Sequence, residues 1–139
     1  MDAELQPRPD LEPGAAVERL VNTFYDAAKQ DPVLGPVFGA IIGDDWSAHL
    51  PVMYTFWDSV VFGLGGYKGQ AVAKHIDIDR KMPLNEAHFG RWIGLWNATV
   101  DSLHAGPNAE LAKSKANMML QLIKFKVDYA RSTGKSFIS

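Results

Sequence analysis

From Phe89 to Leu103 the large apolar residues Phe89, Trp92, Ile93, Trp96, Val100 and Leu103 fall at i, i+3, i+4, i+7, i+11 and i+14. That spacing puts all six on one side of an α-helix; a half-buried strand would alternate every second residue instead. Asn85 offers a cap for a helix over 86–104, and "HAGPN" breaks it. The same period recurs elsewhere. Val17, Leu20, Val21, Phe24, Tyr25 and Ala28 predict a helix over 14–30. It stops at "DPVLGP", where Pro32 and Pro36 disfavour helix at Asp31 and Gly35. Val37, Phe38, Ile41 and Ile42 fit a compact, single-turn segment closed by Gly43.

A long helix then follows, with Asp44, Asp45 and Ser47 as capping candidates and Pro51 tolerable near its start. Leu50, Met53, Tyr54, Trp57, Val60, Val61 and Leu64 form its stripe, and "GLGG" stops it. "YKGQAVAKHIDIDRKMP" has room for one short helix near Gln70 to Lys74, then an irregular stretch. A last amphipathic helix over 108–131 runs through Leu111, Met118, Met119, Leu122, Ile123, Phe125 and Tyr129. No period-two strand of useful length and no internal repeat is visible. The expected class is all-α. Residues 1–13, rich in proline and charge, are expected to form a flexible arm; 14–132 form the domain and 133–139 a short tail.

Composition narrows the function. A chain of 139 residues with a formal net charge of −2 and no basic run has no field that favours nucleic acid or an anionic membrane. The lack of cysteine excludes disulfides, iron–sulfur clusters and thiolate ligation. The start "MDAELQPRPDLEPG" lacks the basic and apolar stretches of a signal peptide, and no apolar run is long enough to cross a bilayer. A cytoplasmic protein is expected.

"HLPVMYTFWDSVVFGLGGYKGQAVAKHID" crowds aromatics between His49 and His75. It reads either as ordinary core or as the lining of a pocket for something flat, apolar and metal-bearing. His75 fits a half-exposed loop histidine, or an axial ligand offering a neutral imidazole nitrogen to iron. His49, with Met53, Phe56 and Val60 on its face, is a helix-surface residue or stands at a pocket mouth. Tyr25 and Trp92 each sit on an apolar stripe, where core packing with a satisfied polar tip suffices for either one alone. "GLGGYKG" follows a helix rather than a strand, so a phosphate loop is the poorer reading. His49, His75, His88 and His104 lack zinc-site spacing. "DID" reads as solvated loop charge, and Gly90 with Gly94 as a flat strip suited to a close helix crossing.

Taken together, "FYDAAKQDPVLGPVFGAIIGDDW", "HLPVMYTFWDSVVFGLGGYKG", "KHIDI" and "HFGRWIGLW" resemble the group III truncated haemoglobins, from about Leu20 into the last helix. The combination of Phe24–Tyr25, Gly35-Pro36-x-Phe38, Trp46-x-x-His49, Phe56–Trp57 and an isolated downstream His75 carries the resemblance. It implies a truncated globin, a two-over-two helical sandwich around haem b (iron protoporphyrin IX), with little helix before His75. It makes His75 the proximal haem-iron ligand, Tyr25 the distal tyrosine, His49 the distal histidine at the entrance and Trp92 an indole donor. Phe38, Met53 and Phe56 would line the haem pocket. Lys68, Lys74, Arg80 and Lys81 are propionate partners by charge alone.

The implied ligands are O2, CO, NO or other small haem ligands, with a reductase as a candidate partner. Two donors at a partly anionic O2, each worth about 1.5–3 kcal/mol, would slow its escape and argue against simple delivery. Redox chemistry with NO or peroxide is one expectation, and a non-catalytic haem-based sensor or scavenger the alternative. A haem-free helical interaction module is the reading from outside the family. His49, if it lines the entrance, should titrate near ~6.5 unless burial or a partner shifts it.

Overall fold

The computed structural model describes residues 8–43, 45–64 and 71–133, and of residues 71–73 the backbone alone. In chain order these form α1 (Ala15–Gln30), α2 (Gly35–Ile41), α3 (His49–Phe62), α4 (Ala71–Lys81), α5 (Glu86–Leu103) and α6 (Pro107–Thr133). No strand occurs among the described residues. The all-α class holds.

Local chemistry accounts for most boundaries. α1 ends before Pro32, and the Asp31 carboxylate then accepts from the backbone N–H groups of Val33 and Leu34, both at 2.9 Å. This turn launches α2, with a proline in its first turn where the missing N–H costs no helical bond. A Cβ on Gly35 would lie 2.6 Å from the Lys29 carbonyl, so glycine lets α2 start hard against the end of α1. Gly63 takes a left-handed φ of 69° and closes α3. Asn85 caps α5 by accepting from Ala87 and His88 N–H, and His88 Nδ1 accepts in return from Asn85 N–H at 3.0 Å.

Several expectations need correction. The segment after Gly35 makes two turns of helix rather than one. Ser47 does not cap α3; Asp45 instead accepts from Ser47 N–H and Oγ, and the helix begins two residues later, at His49. Asp44 and residues 65–70, part of the predicted short helix and its approach, lie outside the described residues. His75 is not a loop residue: it sits inside α4, which runs eleven residues to Lys81. The apolar pattern was misleading because α4 buries an acid, Asp79, beside Ile76. "DID" is therefore not solvated charge throughout; Asp77 is exposed but Asp79 is 7% exposed and pairs with Arg131.

The arm also differs. Its first seven residues lie outside the described part, but from Pro9 onward it is docked, the Pro9 carbonyl accepting from Ala105 N–H and His104 Nδ1. Leu11 is fully buried, and the Asp10 carboxylate accepts from Asn108 and Ala109 N–H at the start of α6. Anions are favoured at a helix N-terminus, where backbone N–H groups lack partners. On α6 the large residues Met118, Leu122 and Phe125 are exposed, whereas Ala109, Ala112, Ala116, Leu120, Ile123, Val127 and Ala130 face inward. In the first half of α6 the inner face is small, and the Ala112 carbonyl lies 3.3 Å from Trp96 Nε1 of α5; in the second half Leu120, Ile123 and Val127 fill it. The tail beyond Thr133 lies outside the described residues.

Two apolar clusters result. One joins α1, α3, α5 and the first half of α6 through Phe24, Trp57, Trp96 and Val100. The other joins α2, α4, α5 and the second half of α6 through Val37, Ile76, Phe89, Ile123 and Val127. Trp92, Ile93 and Met119 pack against both.

Arg91 of α5 pairs with the buried Asp31 carboxylate. That hydrogen bond, with the two backbone N–H groups, outweighs the opposing effect of burial and lowers Asp31 from 3.8 to about 2. A depressed carboxylate pKa adds stability above pH 3.8 that disappears as pH falls through 3.8 toward 2. Asp31→Asn should therefore lose about 1–3 kcal/mol at neutral pH. In urea titrations its deficit against the wild type should shrink across that acid window; a deficit independent of pH would refute the assignment.

Candidate functional site

The residues singled out from the sequence converge unevenly. Tyr25, near the C-terminal end of α1, is 7% exposed and forms the hub of a ring cluster. Its centroid lies 5.5 Å from Phe38 of α2, 5.1 Å from Trp46 and 5.5 Å from His49 at the start of α3. Phe38 and His49 contact Trp46 in turn, at 5.8 and 5.6 Å. Tyr25 Oη and His49 Nε2 stand 3.5 Å apart, the outer limit of a hydrogen bond. Three elements thus bring one phenol and one imidazole together inside aromatic walls.

Trp92 does not join this ring set directly. It connects through Phe24, whose ring lies 5.1 Å from Tyr25 and 5.5 Å from Trp92. Met53 and Phe56 belong to the same apolar cluster, one half-buried and the other buried. His75 is placed apart from them on α4, half-buried, next to Ile76 of the second cluster. The two parts are coupled electrostatically: the charge of Lys74, the neighbour of His75, acts on His49.

Trp46 and Lys29 were not given roles from the sequence. Trp46 Nε1 donates to the Gly43 carbonyl at 3.1 Å, which fixes the ring, and Lys29 Nζ lies 4.9 Å over it. Lys29 is four residues after Tyr25, one helical turn away, so its proximity to the site was readable; its stacking on Trp46 was not. A cavity of about 270 Å³ opens here, lined by Lys29, Gly35, Gly39, Gly43 and Trp46.

The electrostatics favour uncharged groups. Burial pushes the Tyr25 phenol well above its ordinary value. Burial, then the Lys74 charge, pushes His49 below 6.5. Both groups are neutral at pH 7. The other two described histidines have structural work: His88 completes the α5 cap, and buried His104 donates from Nδ1 to the Pro9 carbonyl at 3.1 Å. Among the described residues no cluster of three or more His, Cys, Asp or Glu could hold a metal ion. A single imidazole such as His75 suits a metal whose remaining ligands come from a macrocycle rather than from side chains. No helix among the described residues is long and apolar enough to cross a membrane.

The titration midpoint of His49 should lie below 6.5, because burial and the Lys74 charge lower its pKa. Lys74→Met removes the second cause of that shift and should raise the His49 titration midpoint, as read by NMR of the ring protons. An unmoved midpoint would mean that the Lys74 charge does not reach His49.

Comparison with known proteins agrees with the resemblance read from the sequence. No family model matches the chain. A group 3 truncated hemoglobin of Campylobacter jejuni is 26% identical over 107 residues, covering 75% of this chain and 82% of that protein. The crystal structure of a group III truncated hemoglobin from Campylobacter jejuni superposes with a TM-score of 0.73 at 24% identity, covering 80% of this chain and 87% of the other. The chain has the truncated-globin fold, and it resembles the group III truncated haemoglobins in sequence as well as in structure.

Proposed function

We propose that this chain is a haem-binding globin that reversibly binds O2, CO and NO, with His75 as the proximal ligand and Tyr25, His49 and Trp92 as its polar distal residues. The observation that carries the reading is the pair of buried Tyr25 Oη and half-buried His49 Nε2, 3.5 Å apart among aromatic rings, with His75 on a separate helix. Relatives named as truncated hemoglobins support it. Haem b held there would supply an iron with one position open to a diatomic ligand, and its redox chemistry.

The chain's own residues do the rest. Phe38, Met53 and Phe56 offer apolar surface to the flat face of a porphyrin, and His75 offers an imidazole nitrogen. Its other ring N–H would be oriented by a nearby acceptor, as ligating histidines require. Tyr25 and Trp92 each have one polar hydrogen to donate. A buried neutral phenol can stabilise partial negative charge on a ligand without bringing a counter-charge of its own. His49, at the first residue of α3, stands where access would be controlled. Two donors retain O2 better than CO, which suits chemistry on a held ligand, such as NO oxidation, more than delivery.

His75→Gly should lose most haem on gel filtration and recover a histidine-type ferrous spectrum when imidazole is added. His88→Ala and His104→Ala should retain haem. An unaltered five-coordinate spectrum in His75→Gly would refute the ligand assignment.

Tyr25→Phe keeps nearly all the ring volume and deletes one hydroxyl. O2 dissociation should accelerate roughly ten-fold or more, equivalent to about 1.4 kcal/mol, while CO dissociation changes far less. Equal shifts for both ligands would indicate altered access, and no shift in either would remove Tyr25 as a donor.

A further inference from the structure

The pairing of Asp79 with Arg131 is more specific than anchoring a helix demands. Asp79 is 7% exposed, and its Oδ1 accepts from Leu84 N–H at 2.8 Å and from Arg131 Nη2. Its Oδ2 accepts from Arg131 Nε at 3.0 Å. Arg131 Nη2 also donates to the Leu84 carbonyl, so the guanidinium joins the end of α4, the turn after it and α6 into one unit. Burial alone would raise the Asp79 pKa, but the Arg131 hydrogen bonds and Leu84 N–H outweigh it, and the carboxylate stays ionised.

His75 and Asp79 are four residues apart on α4, so they share a face about 6 Å apart along the helix axis. Ile76 shares one apolar cluster with Leu120, Ile123 and Val127 of α6, which holds α4 against α6 by apolar contact. Apolar contact is not directional, so it sets the distance between helices but resists rotation and sliding weakly. A two-pronged guanidinium–carboxylate pair is directional, because both oxygens must meet two N–H groups in one plane. It fixes the rotation of α4 one turn from His75. The Arg131 side chain is 41% exposed, and ion pairs open to solvent on one side add little stability, so stability alone is a poor reason for this one.

We propose that the Asp79–Arg131 pair is a positioning element for His75: by fixing the rotation and height of α4, it sets how the imidazole is presented to an iron. The proposal rests on the reading of His75 as the proximal ligand. It concerns the geometry of that ligand, not its identity.

Asp79→Asn keeps the side-chain volume and an acceptor for Leu84 N–H but removes the charge and the two-pronged pairing. Arg131→Lys keeps the charge and removes the fork. In the haem-loaded full chain, both variants should retain haem and both should shift the iron–histidine stretching frequency in the ferrous Raman spectrum. CO association should change by about two-fold or more, the lower end of what residues acting through packed neighbours achieve. The double variant should add little to either one, since both remove one interaction. A purely structural role would lower the melting temperature and leave the frequency and the CO rate unmoved, which would overturn the proposal. Should Asp79→Asn fail to fold, Arg131→Lys decides by the same readouts. A wild-type spectrum with no iron–histidine mode, or one that survives His75→Gly, would instead overturn the ligand reading and this proposal with it. A wild-type mode that is present and unmoved in folded variants overturns the positioning role alone.

Discussion

Trp96 has no exposed surface, and four helices meet at it. Its ring stacks on Trp57 of α3 at 4.2 Å, takes the edge of Phe24 of α1 at 5.3 Å, and its Nε1 donates to the Ala112 carbonyl of α6. Indole burial of this size contributes a few kcal/mol, and the single polar atom is satisfied by a carbonyl rather than left orphaned. The candidate site is built outward from this point. Tyr25 is next in sequence to Phe24, Trp92 is one turn before Trp96, and Phe56 and Met53 are within one turn of Trp57. The aromatic core is therefore the frame for the candidate site residues.

The other half of the fold is held differently. α2 and α4 are short, seven and eleven residues, and isolated helices of that length are marginal in water. Each is fixed by a buried aspartate answered by an arginine from a long helix: Asp31 by Arg91 of α5, and Asp79 by Arg131 of α6. The arm is placed by a related contact, the Asp10 carboxylate accepting from N–H groups at the N-terminus of α6. In each case the carboxylate accepts one or more backbone N–H groups at a helix end or turn. Short elements that carry site residues are thus located by directional polar contacts, and long elements by apolar area.

This division explains what could be read from the chain. α1, α5 and the end of α3 were legible because apolar periodicity, Asn85 and "GLGG" are local signals. α4 was not, because the residue that buries its face is an acid, and its partner lies 52 positions later. The docked arm was missed for the same reason: a Pro-rich, charged stretch looks solvated until Asp10 meets Asn108. On α6 the exposed Met118 and Phe125 misled the choice of face, since the buried positions of its first half carry alanines, which apolar periodicity marks only weakly. For the site, no single residue was decisive; Tyr25 and His49 lie 24 positions apart, and only the combined motifs suggested that they meet.

On the proposed function, the electrostatics of the pocket follow from its walls. Aromatic rings around Tyr25 and His49 leave little water to solvate a charge, so both are kept neutral, one by a raised and the other by a lowered pKa. A neutral donor interacts with a partly charged ligand and only weakly with a nonpolar one, so the discrimination between O2 and CO would come from dipoles held in place by packing. Lys74 adds to this rather than opposing it. Its positive charge on α4 disfavours a second positive charge on His49. The helix that presents His75 would thereby also help to keep the opposing histidine uncharged, and α4 would influence both sides of the ligand site through one residue on each side: His75 by coordination and Lys74 by its field.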